Sequence, residues 1–224
     1  MINIKKINKI YNLGKENQFY ALKEIDINIK KGEMVAITGP SGAGKSTLLH
    51  IIGFLDNFDD GKYYFDNIDV NALNDKKKSQ LRGNEIGIVM QDFGLLNNEK
   101  VYSNVELPLF FSKTKLSTMR SKVELSLKKL GIFDLKNKRV STLSGGQKQK
   151  VAIARAIVNE PSLILADEPT GSLDNKSSKE IMSIFKEINK HGTTVLIVTH
   201  DDNIAHECNR IIHIEDGHII NDII

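Results

Sequence analysis

The hydrophobic positions change period along the chain. Near the start, Met1 opens a stretch of isoleucines alternating with polar residues, and Ile25, Ile27 and Ile29 alternate with Asp26, Asn28 and Lys30. A period of two predicts strands with one buried face. Asp60-Gly61 then separates apolar stretches and precedes Lys62-Tyr63-Tyr64-Phe65, which reads as a hairpin arm. Three runs are apolar nearly throughout: MVAIT (34–38), LILA (163–166) and TVLIVT (194–199). Strands of a parallel sheet covered by helices on both faces have this composition.

Between these runs the period lengthens. Ile181, Ile184, Phe185 and Ile188 fall at i, i+3, i+4 and i+7, with Asp174 as candidate N-cap and Gly192 just past the end. Val123, Leu127 and Leu130 repeat the pattern ahead of Gly131, with Ser117 as candidate cap. Strand–helix alternation at both ends and a helix-rich middle predict an α/β core with a helical insertion. No repeat, low-complexity tract or Pro/Gly-rich linker interrupts it. We therefore expect a single domain over 1–224. Its core and β subdomain would span about 1–92 and 160–224, and its helical subdomain about 93–159.

Composition changes little. A chain of 224 residues is long enough for one substantial core. Its 31 basic and 28 acidic side chains leave a formal charge of +3, too weak by itself to argue for nucleic acid. The densest basic run, Lys76-Lys77-Lys78, reads as a solvated face. Cys208 is the single cysteine, which excludes an internal disulfide and fits a reducing compartment. The first residues lack the apolar segment of a signal peptide. No window approaches the roughly 18 consecutive apolar residues of a membrane span, so work at a membrane would need another polypeptide for the crossing.

Chemistry enters with GPSGAGKST, residues 39–47, placed after the strand MVAIT and before the apolar run LLHIIGFL. This is G-x-x-x-x-G-K-[ST] in its required strand–loop–helix setting. Gly39, Pro40, Ser41, Gly42, Ala43 and Gly44 form a loop whose backbone N–H groups can turn around phosphate oxygens, at the positive end of the next helix. Lys45 can reach the β- and γ-phosphates, and the Ser46 hydroxyl, beside Thr47, can hold Mg²⁺. The second half of such a site is LILADEPT. Asp167 emerges at a strand's C-terminal end, where a carboxylate can hold Mg²⁺ through water. Glu168 follows, placed to orient or deprotonate an attacking water.

The stretch TLSGGQKQKV poses a different question, because two glycines stand where a helix begins. Ser144 reads as the N-cap, with Gly145, Gly146 and Gln147 as the first turn. Such a turn binds anions. A chain with its own P-loop has no need of a second anion site, unless this one covers the γ-phosphate held by another copy. The competing reading is a Gly-rich helix start with no ligand.

P-loop, LSGGQ, LILADEPT, SLD and the histidine of VTHD stand here in the order and spacing of the ATP-binding-cassette (ABC) ATPases, which the chain resembles over essentially its whole length. That resemblance implies a RecA-like P-loop NTPase core with a mainly parallel sheet, an N-terminal antiparallel β subdomain and an inserted helical subdomain. It makes Tyr11 the aromatic that stacks on adenine and Gln91 the residue touching Mg²⁺ and the attacking water. Ser144 to Gln147 become a signature acting in trans, and Ser172, Leu173 and Asp174 the D-loop between two copies. Glu168 becomes the catalytic base and His200 the switch on the γ-phosphate. The partners implied are ATP, Mg²⁺, a second copy on ATP binding and an integral membrane permease, with no nucleic acid. The place implied is the cytoplasm, at the inner face of the cell membrane through that permease.

FLDNFDDGKYYFDN, NVELPL and ADEPTGSLD are similar to the branch of macrolide and peptide exporters, lipoprotein release, bacitracin-type resistance and a cell-division pair. Export of a peptide, antibiotic or lipid-like substrate is the expectation. The alternatives are a mechanotransmitting complex that regulates cell-wall hydrolysis or cell division, and a non-transport ABC ATPase. Lys150 departs from the arginine common in relatives, and NNEKVYSNV departs near the region where permeases dock. Phe93, Leu95, Leu96, Leu107, Leu109, Phe110 and Phe111 form an apolar zone there, split between a core role and permease contact.

Overall fold

The computed structural model describes residues 1–112 and 114–224. In chain order its elements are β1 (Ile2–Tyr11), β2 (Phe19–Ile29), β3 (Met34–Thr38), α1 (Lys45–Ile52), β4 (Asp60–Phe65), β5 (Ile68–Asp69), α2 (Asp75–Glu85), β6 (Ile86–Val89), α3 (Val101–Phe111), α4 (Leu116–Lys129), α5 (Gly145–Ile157), β7 (Leu163–Asp167), α6 (Asn175–Lys190), β8 (Thr194–Val198), α7 (Asp202–Ala205), β9 (Arg210–Glu215) and β10 (His218–Ile223). By packing they fall into two units, residues 1–79 with 196–224 and residues 80–195.

In the first unit an antiparallel sheet runs β2-β1-β4-β5. Alternation decides its faces: Ile2, Ile4, Ile7, Ile25, Ile27 and Ile29 are buried, whereas Asp26 and Asn28 are exposed. The expected hairpin arm is β4, and it takes in Asp60 and Gly61 as well as Lys62 to Phe65. A β-carbon at Gly61 would come 2.5 Å from the Lys6 carbonyl oxygen, where the pairing of β1 with β4 shifts register. The hairpin turn is Asp66-Asn67, both at positive φ (47° and 66°), a geometry that Asn and Asp tolerate. The unit's other strands run β10-β9-β3-β8, with β3 parallel to β9 and buried throughout. Arg210 on β9 clamps the outer strand, donating to both carboxylate oxygens of Asp222 on β10 at 2.7 Å.

In the second unit β6 and β7 pair in parallel, Ile86–Val89 against Leu163–Ala166. The helices bury one stripe each: Val101, Val105 and Leu109 on α3, Val123 and Leu127 on α4, Ile181, Met182 and Phe185 on α6. Ser117 does not cap α4, which starts at Leu116 after Lys115 with no side-chain cap. Gly131 at its other end holds φ 65°, and Gly192 after α6 holds φ 96°, the left-handed stops expected of them. The apolar zone after Gln91 divides by burial. Leu109 is fully buried, Phe93, Leu95 and Leu107 are half-buried, and Leu96, Phe110 and Phe111 are exposed.

Candidate active site

The P-loop in the first unit joins β3 to α1, and its glycines have separate causes. A β-carbon at Gly39 would lie 1.9 Å from the Ile214 carbonyl oxygen of β9. One at Gly44 would lie 2.4 Å from the Ala21 carbonyl oxygen of β2. Gly42 meets nothing within 4 Å and is set by its φ of 81° alone. Pro40, Ser41 and Gly42 are exposed, while Ala43 is buried beneath them. Lys45 is buried, and its ammonium donates to the carbonyls of Gly39 (2.8 Å) and Pro40 (2.7 Å). The cation therefore sits against the loop's own backbone. Ser46 and Thr47 follow it in the first turn of α1, both half-buried.

Tyr11, the last residue of β1, belongs to the same unit. Its hydroxyl donates to Asp56 Oδ2 at 2.8 Å and also bonds the Thr47 side chain. Burial raises the phenol above its ordinary pKa, the Thr47 bond opposing and Asp56 adding to the shift. Lys9 completes the group, donating to Asp56 Oδ1 at 2.9 Å and to the Asn57 carbonyl at 2.7 Å. Burial alone would raise the Asp56 carboxyl, but the bonds from Lys9, Tyr11 and the Asn57 N–H outweigh it and hold the group below its ordinary value. His200 is exposed just past β8. The buried Thr199 before it donates its N–H to the Ile37 carbonyl at 3.1 Å, which brings His200 to the edge where the P-loop begins.

The second unit holds the remaining candidates. Asp167 ends β7, and Glu168 directly after it holds φ 44°, a left-handed conformation uncommon for a residue with a β-carbon. Gly171 closes the turn by donating its N–H to the Glu168 carbonyl at 3.1 Å. Gln91 is exposed, two residues past the end of β6. Phe93 and Gly94 after it both hold positive φ, and their carbonyls accept from the Arg155 guanidinium on α5, at 2.9 Å for Phe93. Burial lowers the pKa of Arg155, opposed by the Asp92 carboxylate.

Ser144 caps α5 as expected, and the cap is reciprocal. Its Oγ accepts from the Gln147 N–H at 3.4 Å, while its own N–H donates to Gln147 Oε1 at 3.1 Å. The serine-glutamine spacing that signals such a box was present in the sequence, so the role of the Gln147 side chain could have been found there. Gly145 and Gly146 are not set by φ. A β-carbon at Gly145 would stand 3.3 Å from Leu173 Cδ2, and one at Gly146 would stand 3.0 Å from Ser177 Oγ. Within a single chain, the space those glycines leave is already claimed by the segment that contains Ser172, Leu173 and Asp174. Asp174 caps α6, accepting from the Ser177 N–H and Oγ, each at 2.9 Å, which holds its carboxyl below its ordinary value. Lys150 pairs through its ammonium with Glu180 on α6 at 2.6 Å. Sequence reasoning missed Lys9, Asp56 and Arg155. Their partners lie 45 to 62 residues away or are backbone carbonyls, which leave no local signal.

Residues 22–171 match the protein family described as ABC transporter. The chain is 46% identical over 220 residues to the ABC transporter ATP-binding protein YknY of Bacillus subtilis, covering 98% of this chain and 95% of that one. It is 44% identical to the macrolide export ATP-binding/permease protein MacB of Mannheimia succiniciproducens, over 99% of this chain but 34% of that protein. Among solved structures, the dimeric post-hydrolysis state of the ATP-binding cassette MJ0796 of Methanocaldococcus jannaschii, bound to ADP and Pi, superposes with a TM-score of 0.90. The two are 43% identical over 99% of this chain and 97% of that chain. The likeness covers every strand and helix that carries the residues above, so the chain belongs to the ABC transporter family, as an ATP-binding ATPase cassette of its macrolide-exporter-like branch.

Proposed function

We propose that two copies of this chain close head to tail on two ATP molecules and that the closing and opening work a membrane permease. The observation that carries the reading is the P-loop. Its backbone is turned by Gly42 and Gly44 in the left-handed region, and the Lys45 ammonium is held against it. That is an anion cradle with its cation in place. Lys45 exchanges its two carbonyl partners for β- and γ-phosphate oxygens, and Tyr11 takes the adenine. Ser144 to Gln147 of the second copy bring a capped helix start to the γ-phosphate.

The donors Ser46, Gln91 and Asp167 are all oxygen atoms, a set that suits Mg²⁺ over softer metals. Ser46, Gln91 and Asp167 would hold the ion, which would supply positive charge to neutralise the charge that develops on the phosphate oxygens. Glu168 accepts a proton from water as that water attacks the γ-phosphorus. The bond to the β–γ bridging oxygen breaks, leaving ADP and inorganic phosphate. His200 contacts the γ-phosphate, and Ser172, Leu173 and Asp174 lie between the copies.

Among the described residues, no helix is long and apolar enough to cross a membrane. The chain reaches the inner face of the cell membrane through its permease, and the cargo is a macrolide-like, peptide or lipid-like molecule leaving the cell. The test is Glu168→Gln, which keeps size and hydrogen bonding but takes no proton. With Mg-ATP the variant elutes as a dimer on size exclusion and turns over at least about a hundredfold more slowly, the range for loss of a general base. Normal turnover removes Glu168 from the role, and a monomeric elution removes the closure.

A further inference from the structure

The Lys9–Asp56–Tyr11 group of the first unit has a role beyond packing. Tyr11 is the last residue of β1, and residues 12 to 20 beyond it are all exposed. A tyrosine in that position, itself 37% exposed, would ordinarily sample several rotamers. Here the side chain is engaged at its hydroxyl and on one ring face. The hydroxyl is bonded to Asp56 at 2.8 Å and to Thr47, and the Lys9 ammonium lies over the ring, 4.8 Å from its centroid. Lys9 is itself 8% exposed, with its ammonium spent on Asp56 and the Asn57 carbonyl. Asp56 is the hub. One carboxylate oxygen holds the lysine, the other holds the tyrosine, and the residue sits four positions past the end of the helix that begins at Lys45.

We infer that Lys9 and Asp56 are positioning residues for nucleotide binding, which hold Tyr11 as a fixed stacking platform registered to the P-loop helix. The inference rests on the reading of Tyr11 as the residue that receives the base. One ring face is covered by Lys9, and the exposed part of the side chain is the surface offered to a base. The Thr47 and Asp56 bonds tie that surface to the first turn of α1 and to the segment that follows the helix, so the distance from platform to P-loop is set before a nucleotide arrives. A ring fixed in advance loses no rotamer freedom when the base stacks on it. Freeing one such side chain weakens binding by about three- to tenfold.

Steady-state ATPase kinetics of the full chain, with calorimetric binding of inorganic tripolyphosphate, test this. Lys9→Met is expected to raise the KM for ATP about three- to tenfold, with kcat changing far less and tripolyphosphate affinity unchanged. Tyr11→Phe keeps the ring and Lys9 but loses the Asp56 bond, and raises KM in the same direction by less. In a Tyr11→Ala background, Lys9→Met adds nothing further, because its effect passes through the ring. An unchanged KM in both Lys9→Met and Tyr11→Phe overturns the inference, as does an equal loss of tripolyphosphate binding or a Lys9→Met effect that persists without the ring. A parent chain that binds neither ATP nor tripolyphosphate overturns the nucleotide reading itself and the inference with it, an outcome visible before any variant is made.

Discussion

Gly146 faces Ser177 so closely that a β-carbon on the glycine would stand 3.0 Å from the serine Oγ and 3.3 Å from its Cβ. The start of α5 is thereby packed against the start of α6, the helix capped by Asp174. Alanine at 146 gains about 1 kcal/mol of helix propensity over glycine and loses it to overpacking. In a Ser177→Gly background the overpacking disappears. Gly146→Ala should therefore be more favourable there than in the parent by about 1 kcal/mol, read as the coupling in a denaturant double-mutant cycle. A coupling of zero would show that the two helix starts do not constrain one another.

The signature in trans has a sharper test. Ser144→Arg blocks the α5 start with bulk and leaves that chain's Lys45 intact, while Lys45→Ala does the reverse. Each variant alone should be nearly inactive, because both composite sites of its symmetric dimer are damaged. Mixed in equal amounts with random pairing and independent sites, they should recover about a quarter of parental ATPase activity, since half the dimers carry one intact site of two. Full activity of Ser144→Arg on its own would show that nothing closes on those glycines.

Arg155 serves the loop after Gln91 by filling two backbone carbonyls, Phe93 and Gly94. Arg155→Met leaves both carbonyls without that donor and should cost about 2–3 kcal/mol of stability in urea denaturation. It should also speed amide hydrogen exchange over residues 91–96. Arg155→Lys has a single ammonium where a planar fork served two acceptors, and should restore only part. Unchanged exchange in Arg155→Met would mean the loop holds itself.

The Asp56 carboxyl carries a prediction about acid. Its folded pKa is depressed by the Lys9 and Tyr11 bonds, which outweigh burial. A depressed carboxylate stabilises the fold above its unfolded pKa, near 3.9, and that contribution disappears as pH falls through the lower folded value. Denaturation midpoints measured from pH 6 downward should fall less steeply in acid for Asp56→Asn than for the parent. Identical slopes would show that the group contributes nothing to acid sensitivity.

How much could be read before folding depended on the range of the cause. The nearly all-apolar runs at 34–38, 163–166 and 194–199 became β3, β7 and β8, because a strand buried on both faces writes its environment along its whole length. The caps at Ser144 and Asp174 were equally visible, since each cap and the N–H that donates to it lie within three residues. The reason for Gly61 was not visible, because its requirement comes from the Lys6 carbonyl on a neighbouring strand. Ser117 satisfied the cap rule, yet α4 starts one residue earlier without one. Candidate residues at the P-loop and after β7 were legible as short motifs. The supports of Tyr11 were not, because Lys9 and Asp56 are ordinary surface residues in sequence and meet only through the fold.

The P-loop glycines differ from Gly146 in what could ever compensate for their loss. A side chain at Gly39 or Gly44 collides with the carbonyl oxygens of Ile214 and Ala21, main-chain atoms that every residue carries. No substitution at 214 or 21 moves them, so no second-site change in those partners can rescue either glycine. The obstacle at Gly146 is a serine hydroxyl, which one substitution removes. Suppressor selections started from a damaged Gly146 can therefore find their answer at position 177. Those started from Gly39 or Gly44 will find none in the residue that is struck, and must move a strand or revert.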